Sequence, residues 1–281
     1  MEVITQAREM LRKVQELRCS GKTIGFVPTM GALHEGHLQL LRASGRENDV
    51  TVCSIFVNPT QFNNPDDYTL YPRTLEQDSD LLESINCTYL FAPTAAEMYP
   101  QPSLLQFGFG ALEGVMEGEK RPGHFNGVAT VVSKLFHLVQ PHRAYFGQKD
   151  LQQVAILRQL VQGLSFDLEL VCFPTVREPD GLAMSSRNKR LTPEQRQQAI
   201  HLYKALQQAA SQLSHTSVES IKQEAIAYLN AINEIEVEYF EIVDVLTLQP
   251  LQSINPQQEV AICVAAFVGE VRLIDNLLVN L

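Results

Sequence analysis

The sequence predicts an α/β protein, a Rossmann-like doubly wound parallel sheet followed by a smaller C-terminal α+β domain. Up to about residue 175, short strand-like apolar runs alternate with amphipathic helical stretches, as is typical of parallel sheets. After that point two long helical stretches precede three strand-like runs. We therefore expect a nucleotide- and substrate-binding domain over residues 1–175 and a lid or substrate domain over 176–281.

Each element follows from a local pattern. Apolar residues at helical spacing open the chain and predict a helix over 3–17. Helical spacing of apolar residues also predicts the later helices, and strand-like apolar runs predict the strands. Strands are expected at 24–28, 50–57, 88–92, 143–146, 168–173, 236–243, 259–267 and 271–275, and helices at 36–45, 75–85, 127–139, 150–162, 193–213 and 216–230.

Composition excludes several classes of protein. The 281 residues are 45% hydrophobic and 19% charged, which is typical of a globular protein, and no apolar run approaches the length needed to span a membrane. A net charge of −10 argues against a nucleic-acid partner, because phosphate contacts require an excess of Lys and Arg. Five scattered cysteines without a CxxC pair indicate neither a disulfide framework nor a zinc knuckle, so a reducing cytoplasm is expected.

Two histidines stand where the first of the alternating strands should pass into a helix. His34 and His37 are three positions apart, and Gly31 and Gly36 would let the backbone approach a ligand closely. A helix N-terminus supplies unpaired N–H groups that favour phosphate. The run therefore predicts a site for a nucleotide triphosphate; the alternative is an ordinary strand–turn–helix whose histidines cap or pack. The metalloprotease spacing of i and i+4 and a Gly-Lys-Ser/Thr phosphate loop are both absent from the sequence.

Further polar residues follow other predicted strands. Ligands of doubly wound sheets bind beyond the carboxyl ends of the strands, so these residues should meet at one edge. For Asp150, the alternative to a ligand contact is that it is the N-cap of the next helix. The hydroxyl groups and the guanidinium of Met184–Arg187 suit a triphosphate, and the alternative for this segment is a helix-capping turn. The residues expected at this edge are His34, His37, Asn58, Gln61, Lys149 and Asp150.

The run from Pro28 to His37 resembles the HxGH element of the nucleotidylyltransferase superfamily, and in particular that of the pantothenate synthetase (pantoate–β-alanine ligase) family. The resemblance continues through five more segments in the same order. These segments are Phe56–Phe62, Tyr71–Arg73, Arg121–Phe125, Phe146–Gln153 and Gly181–Asn188.

The resemblance implies a ligase of pantothenate biosynthesis, on the route to coenzyme A. Such an enzyme condenses pantoate with β-alanine through a pantoyl adenylate, consumes ATP and releases AMP and pyrophosphate. It further implies Mg²⁺ as cofactor and a homodimer. Two other interpretations remain: a nucleotidylyltransferase that transfers AMP to a phosphate, and a nucleotide-binding regulatory module that has lost turnover.

The resemblance also implies roles for individual residues. His37 matches the position of the proton donor, and His34, Lys149 and Arg187 join it as catalytic candidates, while Gln61 and Gln153 match the positions that bind pantoate and β-alanine. Asp78 is a candidate magnesium neighbour because hard cations prefer oxygen ligands, with helix surface as the alternative. The role of His124 stays open. The positions implied for ATP are Met30, Gly31, Ala32, Leu33, His34, Glu35, Gly36, His37, Gly147, Gln148, Lys149, Asp150, Val176, Met184, Ser185, Ser186 and Arg187.

Overall fold

A six-stranded parallel sheet forms the first part of the molecule, which confirms the predicted α/β class. The computed structural model describes residues 1–255 and 257–280. The sheet has the order β1-β4-β3-β2-β5-β6, and its central strands are apolar because helices cover both faces. Its strands are β1 (Glu2–Ile4), β2 (Ile24–Thr29), β3 (Val50–Ile55), β4 (Tyr89–Phe91), β5 (Arg143–Gly147) and β6 (Glu169–Phe173).

Within the part of the chain that the structure describes, eight α-helices accompany this sheet. The largest core cluster brings α1 and α7 against the strands, with Phe26 of β2 and Phe136 of α7 in edge-to-face contact at 6.4 Å between ring centroids. The helices are α1 (Ala7–Cys19), α2 (Glu35–Glu47), α3 (Pro65–Thr69), α4 (Leu75–Ser84), α5 (Ala95–Met98), α6 (Met116–Lys120), α7 (His124–Val139) and α8 (Leu151–Gly163).

The start of the chain differs from the prediction. The helix predicted over 3–17 begins only at Ala7, and Val3 and Ile4 belong to β1, which pairs with β4 through Ile4 and Phe91. Two adjacent apolar residues fit either period, and the pairing buries Ile4 to 1% exposure. Tertiary contact therefore overrides the helical spacing at these residues.

The second part of the molecule is the predicted α+β unit, with helices on a three-stranded antiparallel sheet in the order β7-β8-β9. Its strand β9 continues five residues beyond the predicted end at 275. Where the two domains divide stays a prediction. The elements are α9 (Pro193–Gln212), α10 (Val218–Asn230), β7 (Ile235–Asp244), β8 (Glu259–Val268) and β9 (Val271–Asn280).

A buried ion pair joins the antiparallel sheet to α6. Arg272 of β9 donates to both carboxylate oxygens of Glu117 at 2.9 and 2.7 Å, and the Tyr239 hydroxyl donates to the same carboxylate at 2.8 Å. Burial alone would raise the pKa of Glu117, but the hydrogen bonds and charge of Arg272 lower that pKa to about 2. The carboxylate therefore stays ionised and holds the two parts of the chain together at this point.

Over residues 1–255 and 257–280, none of the helices combines the length and the apolar character that crossing a membrane requires.

Candidate active site

A cavity lies at the carboxyl edge of the parallel sheet. The chain leaves β2 toward β3 on one side, while β5 and β6 extend the sheet on the other, so the strand order reverses between β2 and β5. Ligands of doubly wound sheets bind at such a point. Segments that follow β2, β3, β5 and β6 line the cavity. Their lining residues include Met30, His34, Gly36, His37, Asn58, Gln61, Gly147, Lys149, Asp150, Gln153, Thr175, Val176, Met184, Ser185, Ser186 and Arg187.

The loop between β2 and α2 is held in shape by Asp78 of α4. Gly31 and Ala32 both have positive φ, +85° and +50°, which for Ala32 is an uncommon conformation. The Asp78 carboxylate accepts hydrogen bonds from the backbone N–H groups of Ala32 at 2.9 Å and Leu33 at 2.7 Å. A buried anion with two backbone donors stabilises the turn that leads into the histidines.

These contacts revise the hypothesis for Asp78. The side chain is 2% exposed, it does not line the cavity, and the Thr74 hydroxyl is a third donor to it at 3.1 Å. Neither the predicted magnesium role nor the exposed-surface alternative fits this environment. The structure gives Asp78 a part in shaping the loop instead.

The two imidazoles pack against each other at the start of α2, with their ring planes tilted by 36°. His34 is the N-cap residue, its ring centroid lies 4.0 Å from that of His37, and its backbone N–H donates to His37 Nδ1 at 3.3 Å. Gly36 makes room for this arrangement, because a Cβ there would lie 2.9 Å from the His34 ring. The absence of a side chain at Gly36 thus serves the His34 ring as well as any ligand.

Both histidines are neutral at pH 7. Burial, followed by the charges of Lys149 and Lys189, lowers the pKa of His34 to about 4. Burial, then His34 and Lys149, lowers the pKa of His37 well below its usual value. With its Nδ1 accepting a hydrogen bond, neutral His37 carries its proton on Nε2 and can donate it to a ligand oxygen.

Lys149 follows β5 in a short 3₁₀ turn. Its side chain is 17% exposed, and its Nζ lies 4.0 Å from Asp150 Oδ1, which is too long for a hydrogen bond. Asp150 occupies the N-cap position of α8, as the alternative interpretation expected, yet its carboxylate makes no capping hydrogen bond and lines the cavity. The ammonium group and this carboxylate are therefore both placed to meet a ligand.

The loop from Met184 to Arg187 forms another wall. Ser185 Oγ accepts a hydrogen bond from Arg187 N at 3.2 Å, so the capping turn is present and coexists with a position at the cavity. Ser186 Oγ lies 3.4 Å from the Tyr71 hydroxyl. The Arg187 guanidinium donates to Asp67 at 2.9 Å and remains a planar cation at the cavity wall.

Gln61 and Gln153 meet in this cavity although 92 positions separate them in the sequence. Asn58, which is 1% exposed, donates from Nδ2 to Gln61 Oε1 at 3.0 Å. Among the described residues, Gln61 Nε2 has only the weak sulfur acceptor of Met30 at 3.3 Å. The N–H groups of the Gln61 amide are thus available to a ligand in the cavity.

Several cavity residues were not assigned by sequence reasoning. Asn58 was placed at this edge without a role, and Thr175 directly precedes the predicted Val176. His124 proves to be buried, with Nδ1 bonded to the Gln61 carbonyl oxygen at 2.8 Å, and burial lowers its pKa to about 4. Position after a strand was the available signal for Asn58. Tyr71, which contributes from a distant loop, lies in a segment that carries the resemblance but had no role assigned to it.

Two residues that line the cavity carry unpartnered polar atoms. Within the described residues, His34 Nδ1 and Thr175 Oγ1 are buried and have no hydrogen-bond partner. Buried polar groups are normally satisfied, so these two residues are candidates for contact with a ligand.

Not every position implied for ATP reaches the cavity. Five of these residues are not among those that line it, and their role in ATP binding stays a prediction. They are Gly31, Ala32, Leu33, Glu35 and Gln148.

Comparison with known proteins places this architecture in one family. The Pantoate-beta-alanine ligase family model matches residues 2–278. A pantothenate synthetase from Bacteroides fragilis is 50% identical over 280 residues, covering 99% of this chain and 98% of that protein.

Solved structures agree with the family match. Pantothenate synthetase from Thermus thermophilus superposes with a TM-score of 0.91 at 44% identity, covering 99% of each chain. Pantoate-beta-alanine ligase from Francisella tularensis, solved in complex with Beta-gamma ATP and Beta-alanine, gives 0.84 at 37% identity over 99% of this chain and 97% of that one. With a cavity of this composition at the expected edge of the sheet, the chain belongs to the pantoate–β-alanine ligase family.

Proposed function

We propose that this protein condenses pantoate with β-alanine at the expense of ATP and forms pantothenate, AMP and pyrophosphate. One observation carries the proposal. A single cavity combines donors suited to phosphate with two neutral amides suited to a hydroxy acid. The donors are His34, His37, Lys149 and Arg187, and the amides are Gln61 and Gln153.

In the first half-reaction, a pantoate carboxylate oxygen attacks the α-phosphorus of ATP and pyrophosphate leaves. Negative charge grows on the phosphoryl oxygens, and positioned donors stabilise it. His37 Nε2–H, the Lys149 ammonium and the Arg187 guanidinium are such donors. Neutral amides at Gln61 and Gln153 hold the acid without a full ion pair, so its carboxylate keeps its nucleophilicity.

In the second half-reaction, the β-alanine amine attacks the acyl carbon of the pantoyl adenylate and AMP leaves. The mixed anhydride must be kept from water until the amine arrives. The loop from Met184 to Arg187 borders the cavity and is the segment suited to cover it.

Mg²⁺ would accompany ATP as cofactor. The described residues contain no cluster of three carboxylate, histidine or cysteine groups, and Asp150 is the only carboxylate among the described residues that line the cavity. Such a donor set fits a cation bound mainly by phosphate oxygens and water, with at most one protein ligand. Bound in this way, Mg²⁺ would offset part of the triphosphate charge.

The test is pyrophosphate release from Mg-ATP with pantoate, measured with and without β-alanine. We expect stoichiometric release with pantoate alone and catalytic release once β-alanine is added, with other small hydroxy acids as controls. AMP transfer to a phosphate acceptor would instead identify another nucleotidylyltransferase. ATP binding without release under any acid would identify a regulatory module.

A homodimer is the proposed assembly. Leu104 and Leu105 are adjacent and 94% and 74% exposed, an apolar patch of the kind that a partner surface covers. Light scattering should give twice the mass of one chain, and Leu104→Ser with Leu105→Ser should reduce it. Leu246→Ser, at an 81% exposed leucine in a turn elsewhere in the chain, is the matched control. A monomeric wild type would contradict the assembly, and a dimeric double variant would exclude this surface.

The proposed location is a reducing cytoplasm. All five cysteines are free, and Cys53, Cys87 and Cys263 are buried as single thiols.

A further inference from the structure

The turn that carries Lys149 is held by a residue of the C-terminal sheet. Asn276 of β9 donates from Nδ2 to the carbonyl oxygens of Gln148 at 3.0 Å and Lys149 at 2.9 Å. Its Oδ1 accepts a hydrogen bond from Gln148 Nε2 at 3.2 Å. Asn276 is 3% exposed, so these bonds form away from competing water.

The two carbonyl groups that accept from Asn276 flank one residue, Lys149. The carbonyl groups of Gln148 and Lys149 belong to the two rigid peptide planes on either side of the Lys149 Cα atom. Fixing both planes fixes φ and ψ of Lys149, and therefore the direction in which its side chain leaves the backbone. The side-chain amide of Asn276 thus sets the direction of the Lys149 side chain, whose ammonium group lines the cavity.

A second contact anchors Asn276 and reaches another wall of the site. Arg177 makes a bidentate pair with Asp275 at 2.6 and 3.0 Å and donates to the Asn276 carbonyl oxygen at 3.1 Å. It also donates to the Gly181 carbonyl oxygen at 3.0 Å and lies 3.7 Å from the ring centroid of Tyr203.

Arg177 lies at the base of the loop from Met184 to Arg187, which we call the serine loop. Its backbone bridges to Ala183, and Met184 N donates to the Val176 carbonyl oxygen at 3.0 Å. Asp275 is 4% exposed, so the pair with Arg177 is buried and held in one geometry. Two adjacent residues of β9 therefore contact both the Lys149 turn and the stem of the Met184–Arg187 loop.

We propose that Asn276 is a positioning residue for adenylate formation, acting through the Lys149 backbone, with the Asp275–Arg177 pair holding it in register with the serine loop. This inference rests on the proposed function, since it assigns Lys149 to the phosphates of ATP. It makes the C-terminal sheet a working part of the phosphate site, although none of the described β9 residues is among those that line the cavity.

A double-mutant cycle tests the inference. Asn276→Ala should slow single-turnover adenylate formation by between about tenfold and about a hundredfold. The upper figure is the loss that a displacement of a positioned group by about 1 Å can cause. The KM for pantoate should stay unchanged. In a Lys149→Ala background, Asn276→Ala should cost nothing further, because its effect passes through Lys149. Additive losses, or wild-type kinetics in folded Asn276→Ala, would overturn the proposal.

Two controls separate positioning from general destabilisation. Asn230→Ala removes an asparagine contact to the backbone at the surface, where Asn230 Oδ1 accepts from Val237 N at 3.0 Å away from the cavity, and it should leave the adenylation rate unchanged. Should Asn276→Ala fail to fold, Asn276→Asp keeps the shape and replaces the two donors with an acceptor; it should show the same loss and the same absence of additivity.

Failure of the proposed function would be visible separately. A wild type that releases no pyrophosphate with pantoate would refute the ligase, and the same cycle would then be measured by calorimetry of Mg-ATP binding. Asn276→Ala should weaken that binding when Lys149 is present and not in Lys149→Ala. Equal weakening in both backgrounds would contradict the positioning role.

Discussion

At His37 the two ring nitrogens have different tasks. Nδ1 accepts the backbone N–H of His34, and burial together with His34 and Lys149 lowers the pKa of the ring and keeps it neutral. The Nε2–H group can therefore donate to a phosphoryl oxygen without a change of protonation. An imidazolium would have to surrender the Nδ1 contact, which fixes the ring at the start of α2.

Replacing this donor should affect chemistry far more than folding. We expect His37→Ala to lower the rate of adenylate formation by about two to three orders of magnitude, the scale for losing one charge-stabilising donor. Pyrophosphate release in a single turnover measures it. His215→Ala, in an exposed turn, is the control and should behave as wild type. A folded His37→Ala protein with an unchanged rate would contradict the role.

Tyr99 is one of the groups that orient Asn58, which contacts Gln61, the residue proposed to bind the acid. Its hydroxyl donates to Asn58 Oδ1 at 2.7 Å, and Asn58 in turn donates to Gln61 Oε1. Tyr99→Phe should raise the KM for pantoate about three- to tenfold, as expected for loss of one hydrogen bond worth about 1 kcal/mol, and leave the KM for ATP unchanged.

The control for Tyr99→Phe is Tyr228→Phe, which removes a hydroxyl that bonds to His201 outside the cavity. Steady-state kinetics with each substrate varied in turn distinguishes the two. Equal changes in both KM values would show that Tyr99 supports the fold rather than the orientation of Gln61.

Among the secondary-structure elements, α2 offers a matched pair of glycines. A Cβ at Gly36 would lie 2.9 Å from the His34 ring, whereas the nearest atom to a Cβ at Gly45 is Thr51 Oγ1 at 3.9 Å. Gly36→Ala should therefore displace His34 and slow adenylate formation. Gly45→Ala should keep full activity and stabilise the helix by up to about 1 kcal/mol.

Urea unfolding of both glycine variants measures the change in stability, and pyrophosphate release measures the change in the rate of adenylate formation. An active Gly36→Ala enzyme would show that the His34 ring moves aside at no cost to catalysis.

The elements themselves were largely predictable, because each buries one face and so repeats its apolar residues at its own period. β1 and the short helices α3, α5 and α6 were the exceptions, since three to five residues do not establish a period. In the site, the histidines and Lys149 follow strands and could be placed from the sequence. Asp78 and Asn276 could not, because their partners are backbone groups 45 or more positions away, which no local pattern records.

The whole molecule should lose stability as pH falls from neutrality. His34 and His124 have folded pKa values of about 4, and the pKa of His37 is also lowered, against about 6.5 in the unfolded chain. Below pH 6.5 the unfolded chain binds protons that the folded protein does not. The stabilisation present above pH 6.5 is therefore lost toward pH 4, at up to about 1.4 kcal/mol per pH unit for each histidine.

Urea unfolding at pH 7.5 and 5.5 measures this slope. Replacing His34, His37 and His124 together with glutamine should flatten it. The buried carboxylate Glu117, with a pKa of about 2, loses its contribution only below about pH 4.5 and lies outside this window. A slope unchanged in the triple variant would assign the dependence to other groups.

The contact between Asn276 and the Lys149 turn also bears on how the protein is made. Domains fold as the chain leaves the ribosome, N-terminal parts first, so the parallel sheet can assemble while the antiparallel sheet is still being translated. Asn276 follows Lys149 by 127 positions, and its two donors reach Gln148 and Lys149 only after β9 emerges. A nascent chain would therefore acquire the fixed backbone of Lys149, and with it the proposed phosphate site, only once its C-terminal sheet is complete.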